Sequence, residues 1–361
     1  MPHPTDIRRD SLTKNVGEPG HYARVEITWE RWMASDETES WALANQIARR
    51  VGAASAEVGL HTYAGRQTWT AVFDVDGVPF ALVPARQVQV GYDADRFSPT
   101  ADQVHNYRES AEAFGIPDDI RAYVASRTSA LRTVSVPALL VAVEAVQAGL
   151  TAMPADEPAV LRRVDELRRR VAVTGSAMPE HVEWAGFGRA VLAPDGTVRA
   201  AWMYDTPSYG VEVARLAALG QRLLTPDEWE YACGAGAATL FRWGDTYPGD
   251  VRSPFCRDDI CAYTCSGVGD PCADHRDGPH RRPNVFGLAI GQNPYREERT
   301  ADPAVICGGD GGSMVCGGSG GFVSWLTLAT AYRDADYARF VQDEAEDLDQ
   351  MLIRPAIVVP D

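Results

Sequence analysis

From about residue 220 onward the chain loses regular hydrophobic periodicity, and residues 232–321 are dominated by glycine, cysteine and proline, punctuated by tryptophan and arginine. Neither a 3.6-residue nor a two-residue period persists there, so this half does not read as a βαβ repeat. It reads as a loop-rich domain with little regular structure. The remaining composition keeps the chain globular: 361 residues with 45% hydrophobic and 23% charged can bury a sizeable core. No internal repeat and no clean linker divides it.

The first half is better patterned. Residues 1–20 read as a loose tail, and 21–78 as a strand-and-helix extension packed on the core. Within it Arg24–Trp29 is strand-like, and Glu37–Val51 carries Trp41, Ala44 and Ile47 at helical spacing. Residues 58–92 alternate like strands, with Asp76-Gly77 as a hairpin turn. Residues 101–130 read as helices broken at Gly115-Ile116-Pro117. Arg132–Val143 is an apolar, β-branched stretch expected as a strand entering a helix. Pro158–Val171 is a charged amphipathic helix whose arginines form a solvated face. The stretch Asp334–Asp349, with seven acids and one arginine, is expected to be a solvated face as well.

Charge excludes several functions. The formal net charge is −16, which repels phosphate backbones and argues against nucleic-acid partners. No run approaches the 18 or more apolar residues of a membrane helix, and the polar N-terminal sequence lacks a signal-peptide core, so a cytoplasmic location is expected. Lys14 is the only lysine among 34 basic residues. A Schiff-base, Walker-A or kinase-type lysine therefore has almost no candidate. Seven histidines are scattered without a helical metal pair, and His105 and His181 are lone residues. No G-x-S-x-G elbow and no G-x-G-x-x-G fingerprint occurs.

The most informative segment is Gln221–Ala232, Gln-Arg-Leu-Leu-Thr-Pro-Asp-Glu-Trp-Glu-Tyr-Ala. Thr225 is a natural N-cap, Pro226 suits the first helical position, and Glu228 completes a capping box. Trp229 and Tyr231 supply bulk for packing, Cys233 follows as a core residue, and Arg242-Trp243-Gly244-Asp245 comes soon after.

An Arg-Leu-x-Thr-x-x-Glu-Trp-Glu-Tyr-Ala stretch followed by Trp-Gly-Asp resembles the formylglycine-generating enzyme (sulfatase-modifying factor) family. Weaker pieces follow in order: Phe80–Gly91, Val134–Glu144, Asn284–Leu288, Ala331–Arg333 and Ile353–Ala356. The resemblance spans residues 79–357 and implies one α+β domain with a C-type-lectin-like, loop-rich fold. Where the family carries an Asp-Met-x-Gly-Asn-Val-Trp-Glu-Trp segment, this chain has Ala289–Glu297 without tryptophan, which puts the family's calcium site in doubt. The family's two copper(I)-binding cysteines, with four residues between them, correspond in one alignment to Cys316 and Gly321.

Seven cysteines complete the picture. Cys256, Cys261, Cys265 and Cys272 form a C-x4-C-x3-C-x6-C cluster followed by His275 and His280. Soft thiolates suit zinc or copper(I), disulfides would staple the same insertion, and unlinked cysteines are the third option. Cys307 and Cys316 sit in a Gly-rich segment with eight glycines between residues 308 and 321. Either the glycines let the two thiolates close on copper(I), or the segment is a Gly-rich loop with an incidental buried cysteine.

Two functions remain. In the first, a copper-dependent oxidase uses Cys316 with Cys307 to bind copper(I) and activate oxygen against a peptide, thiol or other small substrate, with Trp325 and Arg333 lining the cleft. In the second, the scaffold has lost its chemistry and is a protein- or ligand-binding module, such as an immunity or interaction protein.

Overall fold

The computed structural model describes residues 27–184, 187–204, 207–247, 278–316, 321–344 and 352–360. Its class is α+β, with several small sheets. The chain enters through a short helix α1 (Trp29–Ala34) and then α2 (Glu37–Val51), which the Asp36 side chain caps by accepting from the Glu39 amide. The apolar stripe Leu43, Ala44, Ile47 and Ala48 of α2 is buried. Of the strand expected at Arg24–Trp29, only residues from 27 are described, and Trp29 opens α1 instead.

A long hairpin follows, β1 (Ser55–Tyr63) and β2 (Arg66–Val75), and then β3 (Val78–Val83). Asp76 and Gly77 turn the chain with both φ angles positive, 53° and 81°. That is the twist-matched turn an Asp-Gly pair favours.

Strand β4 (Arg86–Val90) leads to helices α3 (Ala101–Phe114) and α4 (Ile120–Ser126), then to β5 (Arg132–Val136) and β6 (Leu139–Ala142). The expected strand-to-helix passage at Arg132–Val143 is therefore two strands in different sheets: β5 pairs β4, and β6 pairs β3. Pro137 lies between them and cannot donate to a ladder. All four β6 residues are buried, as a strand covered on both faces requires.

Beyond β7 (Val146–Gln147), a satellite layer is formed by β8 (Leu150–Met153), α5 (Pro158–Thr174), β9 (His181–Trp184), β10 (Gly188–Leu192) and β11 (Val198–Tyr204). Its strands run in the order β8-β11-β10-β9. Val160, Val164 and Leu167 of α5 pack on Ala190, Leu192, Val198 and Ala201, while the helix arginines face outward.

Helix α6 (Tyr209–Ala218), strand β12 (Arg222–Leu223) and α7 (Pro226–Gly234) open the irregular half. Then come β13 (Glu298–Arg299), β14 (Ile306–Cys307), short helices α8 (Ser313–Cys316) and α9 (Gly321–Leu326), α10 (Ala335–Glu344), β15 (Leu352–Ile353) and β16 (Pro355–Val358). No helix among the described residues is long and apolar enough to cross a membrane.

The main sheet has the order β1-β2-β3-β6-β16-β12. Its period-two alternation divides the core. Phe80, Leu82, Leu140 and Ala142 pack toward α1 and α2, whereas Ala81, Val83, Leu139 and Val141 pack toward Trp229, Tyr231 and Phe286. A second sheet, β14-β13-β15-β7, sits beside it and contains the parallel pair β13–β15. An aromatic core of Tyr107, Tyr123, Phe322 and Trp325 joins α3, α4 and α9.

One close approach fixes the seam between β4 and β5. Gly91 has φ +86°, and a Cβ there would lie 2.1 Å from the Ala130 carbonyl oxygen. Its amide donates to Glu230 Oε2 at 2.6 Å.

The Thr225 cap is fully formed, with Thr225 Oγ1 accepting from the Glu228 amide and Glu228 Oε2 accepting from the Thr225 amide. Thr225→Ala is expected to destabilise the fold by about 1 kcal/mol. Gly91→Ala should cost clearly more, because φ and space both forbid it. Urea denaturation ranks the two, and an equal or reversed ranking contradicts this packing.

Candidate functional site

Helix α7 is buried from Glu228 to Gly234, and four consecutive residues each anchor a different part of the fold. Glu228 receives both ends of the Arg222 guanidinium at 2.6 and 2.7 Å. Trp229 donates its indole N–H to Glu298 Oε2 at 2.8 Å. Glu230 accepts from the Gly91 amide, from Ser129, and from Arg132 and Arg333. Tyr231 donates to the Pro84 carbonyl at 3.1 Å.

Glu298 and Arg354 form the floor of a cleft. Arg354, 2% exposed, donates from Nε and Nη2 to the two carboxylate oxygens of Glu298 at 2.8 and 2.7 Å. Its remaining N–H groups reach the carbonyls of Ala142, Val143 and Ala289 at 2.7–2.9 Å. All five donors are thus satisfied, and the planar fork matches the carboxylate in the manner of a bidentate pair. Above this floor opens a cleft of about 400 Å³, walled by Glu144, Arg281, Gln292, Asn293 and Arg296. Glu144 and Arg296 are exposed at its rim. Sequence reasoning missed these wall residues. The charged run Arg296–Arg299 was the available signal, and it resembles an ordinary solvated stretch although Glu297, Glu298 and Arg299 are buried.

The residues singled out from sequence are dispersed. Trp325 is fully buried, with Trp243, Tyr247 and His280 around its ring. Arg333 is pinned to Glu230 and to its neighbour's carbonyl. Neither lines the 400 Å³ cleft. Cys307 lies in β14 within the core, and burial pushes its thiol up to about 12. Cys316 is exposed at the end of α8, its Sγ 3.1 Å from the Tyr295 hydroxyl. Both are free thiols, and no hydrogen bond joins them. Cys233 is buried, and its thiol is raised to about 11 by the same loss of solvent. Cys256, Cys261, Cys265, Cys272 and His275 lie outside the described residues. Among the described residues no group of three or more His, Cys, Asp and Glu side chains could hold a metal ion. His105 faces Glu109 on the surface of α3, and His181 is exposed on β9.

The Gly-rich segment has a packing role near Cys316. Gly312 has φ +78°, and a Cβ there would overlap the Tyr295 ring at 2.1 Å. Asp310, fully buried, accepts from the Gly312 and Met314 amides and so starts α8.

A buried carboxyl pair lies close by. Glu297 accepts from the Tyr337 hydroxyl at 2.9 Å through Oε1, while Oε2 is buried without a partner. Burial raises the Glu297 carboxyl, and the charge of Asp310 adds to the rise; burial raises Asp310 as well.

No protein-family model matches this chain, and no curated protein matches it significantly.

The raised Glu297 pKa has a defined sign. Its folded value lies above the ordinary 4.5, so its contribution is fully present below that pH and is lost as pH rises through the folded value. Glu297→Gln cannot ionise and is exempt from this loss. The melting temperature of the variant minus that of the wild type is therefore expected to increase from pH 4 to pH 8. A difference independent of pH contradicts the assignment.

Proposed function

We propose that this chain is a diverged relative of the formylglycine-generating enzyme family, with a C-type-lectin-like core, that works as a binding module and not as a copper oxidase. The segment that carries the resemblance supports the scaffold reading: Arg222, Thr225, Glu228 and Trp229 act as one bonded unit against Glu298. The observation that carries the binding reading is the cleft of about 400 Å³ over the Arg354–Glu298 floor. Its rim offers the Glu144 carboxylate and the Arg296 guanidinium, and Gln292 and Asn293 also line it. Opposite charges and side-chain amides lining one cleft complement a peptide-like zwitterion.

The oxidase reading fits less well. A copper(I) bis-thiolate needs two sulfurs in one accessible place, but Cys307 is sealed in the core and Cys316 is exposed. The free state of Cys233, Cys307 and Cys316 agrees with a reducing cytoplasm. The reading requires no copper, zinc or calcium and no nucleic-acid or membrane partner.

Two titrations test it. Triglycine, a zwitterionic probe, is expected to bind the wild type and to lose about tenfold in affinity with Arg296→Glu. Absence of triglycine binding removes the cleft from consideration. Copper(I) titrated against a competing chelator is expected to bind wild type and Cys316→Ser equally. A high affinity that disappears with Cys316→Ser restores the oxidase.

A further inference from the structure

Strand β1 lies at the edge of the main sheet and is unusually long for that place. It runs for nine residues, whereas the strands at every other sheet edge among the described residues have two to five. Its register with β2 is unbroken from Ser55↔Asp74 to Tyr63↔Arg66. Folds ordinarily blunt an edge with a short strand, a bulge, a proline or a lysine. The β1 sequence, Ser-Ala-Glu-Val-Gly-Leu-His-Thr-Tyr, uses none of these devices.

The hairpin turn decides which backbone groups lie on the open side. Ala64 and Gly65, with φ 49° and 75°, form a two-residue turn closed by the Tyr63–Arg66 pair. Hydrogen-bonded and non-bonded pairs alternate from there, so residues 57, 59, 61 and 63 bond to β2. The N–H and C=O groups of Ala56, Val58, Leu60 and Thr62 point away from β2, and among the described residues none hydrogen-bonds to them. The same stretch is open at its side chains. Leu60 is 53% exposed, and Gly59 and Thr62 are exposed as well.

An antiparallel copy of β1 fits this edge along its whole length. With Gly59 on a two-fold axis, Val58 stands opposite Leu60 of the second copy, Ala56 opposite Thr62 and Ser55 opposite Tyr63. The outward backbone groups of one copy then meet those of the other, giving about eight hydrogen bonds. The two exposed Leu60 side chains become diagonal neighbours on the face that also carries Val58. Electrostatics permits the approach although each chain carries a formal charge of −16. Like charges directly opposite one another would oppose pairing, but Glu57, the only acid of β1, stands opposite His61 of the second copy. Gly59 places no side chain at the axis.

We propose that β1 is a homodimerisation edge, at which two copies of this chain pair β1 against β1, antiparallel about Gly59, to form one continuous sheet. The contact is isologous, as a two-fold interface requires, and it closes the edge in both copies. It does not depend on the cleft over Arg354 or on what that cleft binds.

The test uses the full chain. Sedimentation equilibrium on the wild type is expected to show a reversible dimer. Leu60→Lys changes an exposed side chain, so the variant should melt cooperatively. It sets two ammonium groups side by side near the axis and should weaken dimerisation by about tenfold or more. A second variant reads the register. Gly59→Cys is tolerated within one copy, because a Cβ there meets nothing within 4 Å. Across the axis its Cα atoms would be about 4.5 Å apart, within disulfide reach. Oxidised glutathione should therefore link Gly59→Cys into a covalent dimer, and should link neither the wild type nor Thr62→Cys, whose counterpart is Ala56. A wild type that stays monomeric up to about 100 μM overturns the proposal. A dimer that Leu60→Lys leaves unchanged overturns it too, as does Gly59→Cys linking no better than Thr62→Cys.

Discussion

Glu298 and Arg354 are a complete ion pair with almost no access to water, at 2% exposure each. Removing two charges from solvent costs several kcal/mol per ion, and attraction offsets that only where geometry is good and every remaining donor is used. Here the carboxylate takes both forks of the guanidinium and the Trp229 indole, and the guanidinium spends its other N–H groups on three carbonyls. Those carbonyls belong to the end of β6 and to Ala289, which forms a β-bridge with Glu144. The pair therefore ties β13, the link between β15 and β16, the main sheet and α7 at one point. An irregular half with two-residue strands has little backbone ladder of its own, so such side-chain ties define where its loops lie.

Glu230 plays the matching part on the other side of α7. Its carboxylate is 2% exposed and gathers Gly91, Ser129, Arg132 and Arg333 from separate segments. A helix with polar residues on all faces is ordinarily solvent-exposed or unstable. α7 is neither, because each polar tip meets a partner on another element while the ring bodies of Trp229 and Tyr231 fill the core. The Glu-Trp-Glu-Tyr order in sequence is thus a spatial order of anchors, and the cleft over Arg354 is a consequence of one of them.

Local rules made much of the fold legible. The stripe of α2, the Asp76-Gly77 turn, the break between α3 and α4, the α5 helix and the Thr225 capping box depend on neighbours a few residues apart, and each is where its residues place it. Arg132–Val143 was harder, because four buried residues in a row fit a covered strand and a buried helix equally. The site was largely illegible. Glu298 and Arg354 are 56 positions apart, and nothing local in a charged run marks which member is buried. Cysteine spacing pointed toward Cys307 and Cys316, but spacing says nothing about depth, and one is interior while the other faces solvent. Trp325 and Arg333 were chosen for their chemistry, yet aromatic packing and the Glu230 carboxylate absorb them.

The most direct measurement is a double-mutant cycle on the buried pair, read by urea denaturation with Glu298→Leu, Arg354→Met and both together. Each single change leaves an uncompensated buried charge and is expected to cost about 3–5 kcal/mol, or to prevent folding. The double variant removes both charges and should be less destabilised than the sum of the two, with a coupling of roughly 1–3 kcal/mol. Additive losses, or single variants within about 0.5 kcal/mol of the wild type, would contradict the view that this pair holds the irregular half together.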